Sequence, residues 1–149
     1  IEAFWDGGYT GNPALFPMYT ADLPDDIVIV NINPLERREI PRAPQDIQNR
    51  INEISFNSSL LRELRAIQFV RDLIEEGKVA KGAMKQVKVH MIADDDLMNE
   101  LSVATKTVPT AYILDTLKAA GRRAAGGFLA QYKDQIGIEG TVDLKTMFG

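Results

Sequence analysis

Ile27-Val28-Ile29-Val30-Asn31-Ile32 is the stretch on which the fold turns. It is almost continuously apolar and β-branched, which is how a strand covered on both faces of a parallel sheet reads. Asn33-Pro34 ends it. Val87 to Ile92 reads as a second strand. Ile1-Glu2-Ala3-Phe4-Trp5 reads as a short third one that runs into Asp6-Gly7-Gly8. Between the strands, Ile47, Ile51, Ile54, Leu61, Leu64, Ile67, Val70 and Ile74 recur at steps of three and four, with one wider gap. That periodicity predicts one long amphipathic helix, or two with a break near Asn57-Ser58-Ser59. Gly77 is its expected stop. Asn12 to Met18 reads as a loop or short helix, with Pro13 near its start.

Downstream, Asp94-Asp95-Asp96 is expected to cap a short helix through Leu101, because acids favour the positive helix end. Pro109 opens a last helix, with Leu114, Leu117, Gly121, Ala124, Phe128, Tyr132 and Ile136 as its inner stripe and Gly137 as its end. Gly121, Gly126 and Gly127 weaken that helix locally, so close packing is expected at them. Strands alternating with long helices imply an α/β layered arrangement. Three strands are few for such a sheet, and the chain starts on Ile in a strand-like segment. We therefore expect further sheet, from a portion of the protein that precedes residue 1.

The 149 residues suit a single domain with a real core. A hydrophobic content of 45% and a charged content of 26% are those of a soluble globular chain. The net charge of −4 argues against a nucleic-acid partner, which calls for a basic excess. There is no cysteine, so disulfides and thiolate metal sites are excluded. No apolar run approaches the roughly 20 residues of a membrane span. A cytoplasmic protein, at most peripheral to a membrane, is the expectation.

The candidate chemistry begins at Asp6-Gly7-Gly8. A carboxylate at a strand end, followed by two glycines that tolerate positive φ and close approach, is one way to present an acid at a reactive centre. A plain structural turn is the alternative for those three residues alone. The longer string Asp6-Gly7-Gly8-Tyr9-Thr10-Gly11-Asn12-Pro13-Ala14 resembles the patatin-like phospholipase family, in which an Asp-Gly-Gly or Asp-Gly-Ala motif carries the catalytic aspartate and an Asn-Pro pair often follows. Three more stretches look like a bacterial subgroup of that family: Ile29-Val30-Asn31-Ile32-Asn33-Pro34, the run from Asn52 to Leu64, and Thr141-Val142-Asp143-Leu144-Lys145.

The resemblance implies a serine acyl-ester hydrolase with a Ser–Asp dyad, built on a three-layer α/β/α domain with a mostly parallel sheet. This chain, residues 1–149, would be its C-terminal part. Asp6 would be the catalytic base, with Gly7 and Gly8 its supporting turn. An ordinary Asp, with a pKa near ~3.9, is a poor base for a hydroxyl. It needs hydrogen-bond reach to the serine in a partly desolvated site, and an oxyanion hole beside it. The family's nucleophile sits in a Gly-x-Ser-x-Gly elbow. None of Ser55, Ser58, Ser59 and Ser102 has a glycine two residues away, and no glycine-rich oxyanion loop is present. Both would lie upstream, so this chain alone should be inactive. The reading that competes is a non-catalytic binding or assembly module derived from the same fold. An unrelated α/β ligand-binding domain leaves the Asp6–Ala14 string unexplained.

The remaining features are less pointed. His90 is the sole histidine, mid-strand and facing away from Val89 and Met91, and is read as structural. With one His and no Cys, neither a zinc site nor any cofactor is called for. Arg37, Arg38 and Arg42 follow a strand end, where open α/β sheets place ligands. They suit a lipid headgroup phosphate or an anionic membrane surface; a solvated loop with Glu36 and Glu39 mixed in is the other reading. Leu15, Phe16, Met18 and Tyr19 fit an acyl pocket or an interface as well as they fit a core.

Overall fold

The computed structural model describes residues 2–101 and 108–148; Ile1 and Ser102 lie outside them. Two strands, β1 (Asp26–Val30) and β2 (Lys88–Ile92), pair in parallel, with Ile27 opposite Val89 and Ile29 opposite Met91. They are joined by α1 (Pro44–Glu75), a single helix with no break at Asn57-Ser58-Ser59. It ends at Gly77, whose φ of 71° only glycine adopts readily. The Gly77 and Lys78 N–H groups turn back to the carbonyls of Ile74 and Leu73. Next come α2 (Asp95–Glu100), α3 (Ala111–Tyr132) and α4 (Leu144–Phe148). Asp94 caps α2 through Leu97 N–H at 3.1 Å, and Thr110, following Pro109, caps α3 through Ile113 N–H at 3.2 Å. The architecture is mixed α/β around a small parallel sheet.

One face of the sheet holds the core. Ile27, Ile29, Val87 and Val89 meet Leu60, Leu64 and Ile67 of α1, with Leu15 and Leu144 closing the cluster. On the other face, the Phe128 ring of α3 stands edge-on to His90, 6.0 Å between centroids. The outer edge of β2 is covered by the tail, where Thr141 and Val142 N–H both donate to Val89 O. A Cβ on Gly140 would fall 2.9 Å from Val89 N, so this close approach requires glycine.

Several expectations are corrected. Residues 2–5 form no strand, and Phe4 and Trp5 are 86% and 80% exposed. A strand needs a ladder partner, and no described residue offers one there; Trp5 instead leans on Tyr9 at 5.5 Å. The 27–32 strand is covered on one face only, because Val28 and Val30 are 45% and 69% exposed. The short element after the Asn12–Pro13 pair is a 3-10 turn at Phe16–Tyr19, and Pro17 rather than Pro13 lies in its first turn. In α3, Phe128 and Ala120 are buried while Leu114 and Gly121 are exposed. Cβ atoms at Gly121, Gly126 and Gly127 would meet nothing within 4 Å, so close packing does not account for them.

The largest correction concerns α1. Ile47, Ile51 and Ile54 face outward, and the buried stripe runs Asn49, Glu53, Asn57, Leu60, Leu64, Ile67, Ile74. It keeps the helical period but changes from polar to apolar halfway. The cause is length. A helix of 32 residues spans about 48 Å, whereas a five-residue strand spans about 17 Å. The N-terminal half of α1 therefore overhangs the carboxyl edge of the strands. Polar loops lie beneath it there.

Candidate functional site

The overhanging half of α1 is the platform for the loops that carry the candidate residues. The first is the Asp6 turn. Gly7–Tyr9 form one 3-10 turn capped by Asp6, whose Oδ1 accepts the Gly8 N–H at 2.7 Å. Asp6 is exposed, and its second carboxylate oxygen takes no hydrogen bond among the described residues. Neither Gly7 nor Gly8 has positive φ, contrary to expectation. Gly8 lies close to its neighbours instead: a Cβ there would fall 3.1 Å from Asp6 Oδ1, a tight contact to which the Asp6 carboxylate would have to yield, and 3.6 Å from the Phe56 ring. Nothing in the structure explains Gly7.

The turn is fastened to α1 at two points. Tyr9 packs on Phe56, with centroids 5.7 Å apart. Ser59 Oγ accepts the Asn12 N–H at 2.7 Å and lies 3.2 Å from Asn12 O, to which it donates. The Asn12-Pro13 pair of the motif is thus held by a helix serine 47 residues away. Farther along, Tyr19 Oη donates to Glu63 Oε2 at 2.6 Å; burial, reinforced by Glu63, pushes the Tyr19 phenol well up. Leu15 is core, whereas Phe16 and Met18 are exposed.

The second loop follows β1. Asn57 Nδ2 donates to Pro34 O at 2.9 Å and fixes its start. Arg37 turns inward and grips Glu53, Nη2 to Oε1 at 2.8 Å and Nε to Oε2 at 3.2 Å; its Nη1 reaches Asn99 O at 3.3 Å. Glu53 is 1% exposed and also meets Arg50 Nη1 at 3.3 Å. The bond to Glu53 holds the Arg37 guanidinium above its usual range. Arg37 is therefore engaged internally. Arg38 and Arg42 are exposed and make no ion pair among the described residues. They line a polar cleft of about 740 Å³ with Glu39, Asp46, Asn99 and Glu100, beyond the carboxyl edge of the strands. That is where open parallel sheets bind ligands. Asp95, on α2 beside this edge, has its carboxyl pushed up by burial and by neighbouring acids.

Thus α1 brings the Asp6 turn and the arginine loop onto one helix, at Phe56 and at Glu53. The residues doing so, Glu53, Phe56, Asn57 and Ser59, were not identified from sequence. A signal was there: Asn49, Glu53 and Asn57 repeat every four residues, a polar stripe at helical period. Ser55 is exposed, Ser58 Oγ bonds Ser55 O at 2.8 Å, and Ser59 is spent on Asn12, so no described serine is poised on Asp6.

A second polar cluster is structural. His90, fully buried, sits between Asp26 Oδ1 at 2.9 Å and Thr141 Oγ1 at 3.2 Å. Asp26 also accepts the Gly137 N–H at 2.8 Å. Burial pushes the Asp26 carboxyl up, but Gly137, His90 and Lys88 together outweigh it and hold the group below its usual range. This cluster ties the 137–142 tail to both strands. Among the described residues no three His, Asp or Glu side chains converge as a metal site, and no helix is long and apolar enough to cross a membrane. Comparison with known proteins finds no matching family model, no matching curated protein and no matching solved structure.

Proposed function

We propose that this chain is the C-terminal part of a patatin-like acyl-ester hydrolase and supplies the aspartate of a Ser–Asp dyad. The observation that carries this reading is the Asp6 carboxylate. One oxygen is oriented by Gly8 N–H, the other is open, and the turn beneath is clamped to α1 by Phe56 and Ser59. A general base needs that combination of fixed orientation and a free lone pair. The finer fold, a three-layer α/β/α domain, belongs to the same proposal; the exposed Val28 and Val30 face of β1 is where a helix layer would pack, and the outer edge of β1 is where further strands would join.

In the complete protein, an upstream serine hydroxyl donates to the open oxygen of Asp6. Asp6 takes its proton as the serine oxygen attacks the ester carbonyl, and upstream backbone N–H groups hold the oxyanion. The C–O bond to the alcohol breaks, the alcohol leaves with the proton from Asp6, and an acyl-serine remains. Asp6 then takes a proton from water as it attacks the acyl carbonyl. The acid departs and the proton returns to the serine. Lipid esters are the substrate class this implies, met at a membrane surface by a cytoplasmic protein. The test compares hydrolysis of a short acyl ester by the product of the whole reading frame with that of its Asp6→Asn variant. A second reading, a non-catalytic assembly module, draws on the absence of a serine poised on Asp6 among the described residues. It predicts that the whole product neither hydrolyses esters nor reacts with a fluorophosphonate.

A further inference from the structure

We propose that the cavity beyond the amino ends of β1 and β2 is a binding site for a small amine carried on an apolar body, with the ammonium at Asp25. It holds about 740 Å³, within the range of small-molecule sites. Three segments wall it: the stretch from Tyr19 to Asp25 that leads into β1, α1 at Ala66 and Val70, and the turn from Gly82 to Val87 that leads into β2. These walls are braced against one another. Lys85 Nζ donates to the carbonyls of Met18, Thr20 and Leu23 at 2.9, 2.9 and 2.8 Å, which ties the turn to the stretch before β1. Tyr19 Oη, bonded to Glu63 Oε2 at 2.6 Å, ties that stretch to α1. Asp25 O accepts the Lys88 N–H at 2.8 Å, which fixes the Asp25 backbone at the strand ends. Such bracing keeps apart apolar side chains that would gain contacts by closing together. A bound ligand restores those contacts.

The class of ligand follows from the polar groups left over. An ammonium has three donors, and all three of Lys85 are spent on carbonyl oxygens. Its charge also acts on the Asp22 carboxylate. The Tyr19 hydroxyl spends its one donor on Glu63. A carboxylate or phosphate entering the cavity therefore finds no cation with a donor to give. Asp25 is the reverse case. Its carboxylate is exposed at the cavity wall and makes no hydrogen bond or ion pair among the described residues. An ammonium completes it with a charge-assisted bond, while the apolar body lies against Ile67, Val70, Met84 and Val87. The site stands apart from the hydrolase reading. Val70 and Phe56, which lies under the Asp6 turn, are fourteen residues apart on α1, a rise of about 21 Å.

The test is calorimetric titration of this 149-residue chain, at neutral pH, with three probes of similar shape: phenethylamine, phenethyl alcohol and hydrocinnamate. Saturable binding of the amine is expected, weakened about tenfold in Asp25→Asn and abolished in Ala66→Phe, whose ring fills the cavity. The Asp25 side chain makes no bond among the described residues and Ala66 is exposed, so both variants should melt with the parent. No binding of the amine, or equal binding by Ala66→Phe, overturns the site. Equal binding by Asp25→Asn overturns the role of Asp25. The alcohol or the carboxylate binding as tightly as the amine overturns the ligand class. These titrations involve no ester hydrolysis, so their failure and failure of the Asp6 reading are separate results.

Discussion

Glu53 is the residue whose loss should be felt most. It is buried, yet it carries a charge, because Arg37, Arg50 and Asn49 Nδ2 all reach its oxygens. Breaking such a cluster from one side leaves guanidinium charge uncompensated at a partly buried site, at a cost of about 3–5 kcal/mol. Glu53→Ala should lower stability by that order in urea unfolding and loosen the 35–43 loop. Arg50→Ala, at a position 23% exposed, should cost much less. Asp26 gives the pH dependence. Its folded pKa lies below its unfolded value, so its contribution is present in full above the unfolded pKa and is lost as pH falls through the folded one. The stability gap between the parent and Asp26→Asn should close as pH falls below about 4, read from urea midpoints. Little of this was legible in sequence. An acid on a helix announces nothing about burial, and Glu53 became visible only once α1 was seen to overhang the strands.

At the scale of elements, β1, β2 and α1 were legible because apolar runs and a three-to-four residue period are direct consequences of backbone geometry, whereas the apolar run at residues 2–5 reads as a strand and forms none, having no ladder partner among the described residues. The burial direction of the first half of α1 was not. Apolar periodicity selects Ile47, Ile51 and Ile54, but the loops beneath demand hydrogen bonds, so Asn49, Glu53 and Asn57 turn inward. The glycines divide in the same way, by what lies against them. Gly140→Ala should destabilise by about 1–3 kcal/mol, because its Cβ would press on the Val89 backbone. Gly121→Ala should stabilise α3 by about 0.5–1 kcal/mol, since the added methyl meets open space. Thermal melts of the two variants should move in opposite directions.

For the whole molecule, the two-stranded parallel sheet is the telling feature. Parallel sheets are ordinarily covered on both faces. Here the core lies on one face, α3 covers the other only at β2, and no described residue pairs with the outer edge of β1. Val30→Thr should therefore cost this chain under about 0.5 kcal/mol, read from urea midpoints. In the product of the whole reading frame, where a further helix layer is proposed to cover Val30, the same change should cost more than about 1 kcal/mol. The candidate site is legible to the same extent: the string from Asp6 to Ala14 marks one carboxylate and its turn, and nothing in residues 1–149 marks a nucleophile to go with it.

The role of Asp6 is decided most directly by kcat for a short acyl ester, measured on the product of the whole reading frame and its Asp6→Asn variant. Asparagine keeps the size and the contact to Gly8 while removing the basic oxygen. A loss of about 10³-fold in kcat, with the melting temperature unchanged, is the expected result. A rate equal to the parent's would contradict the assignment.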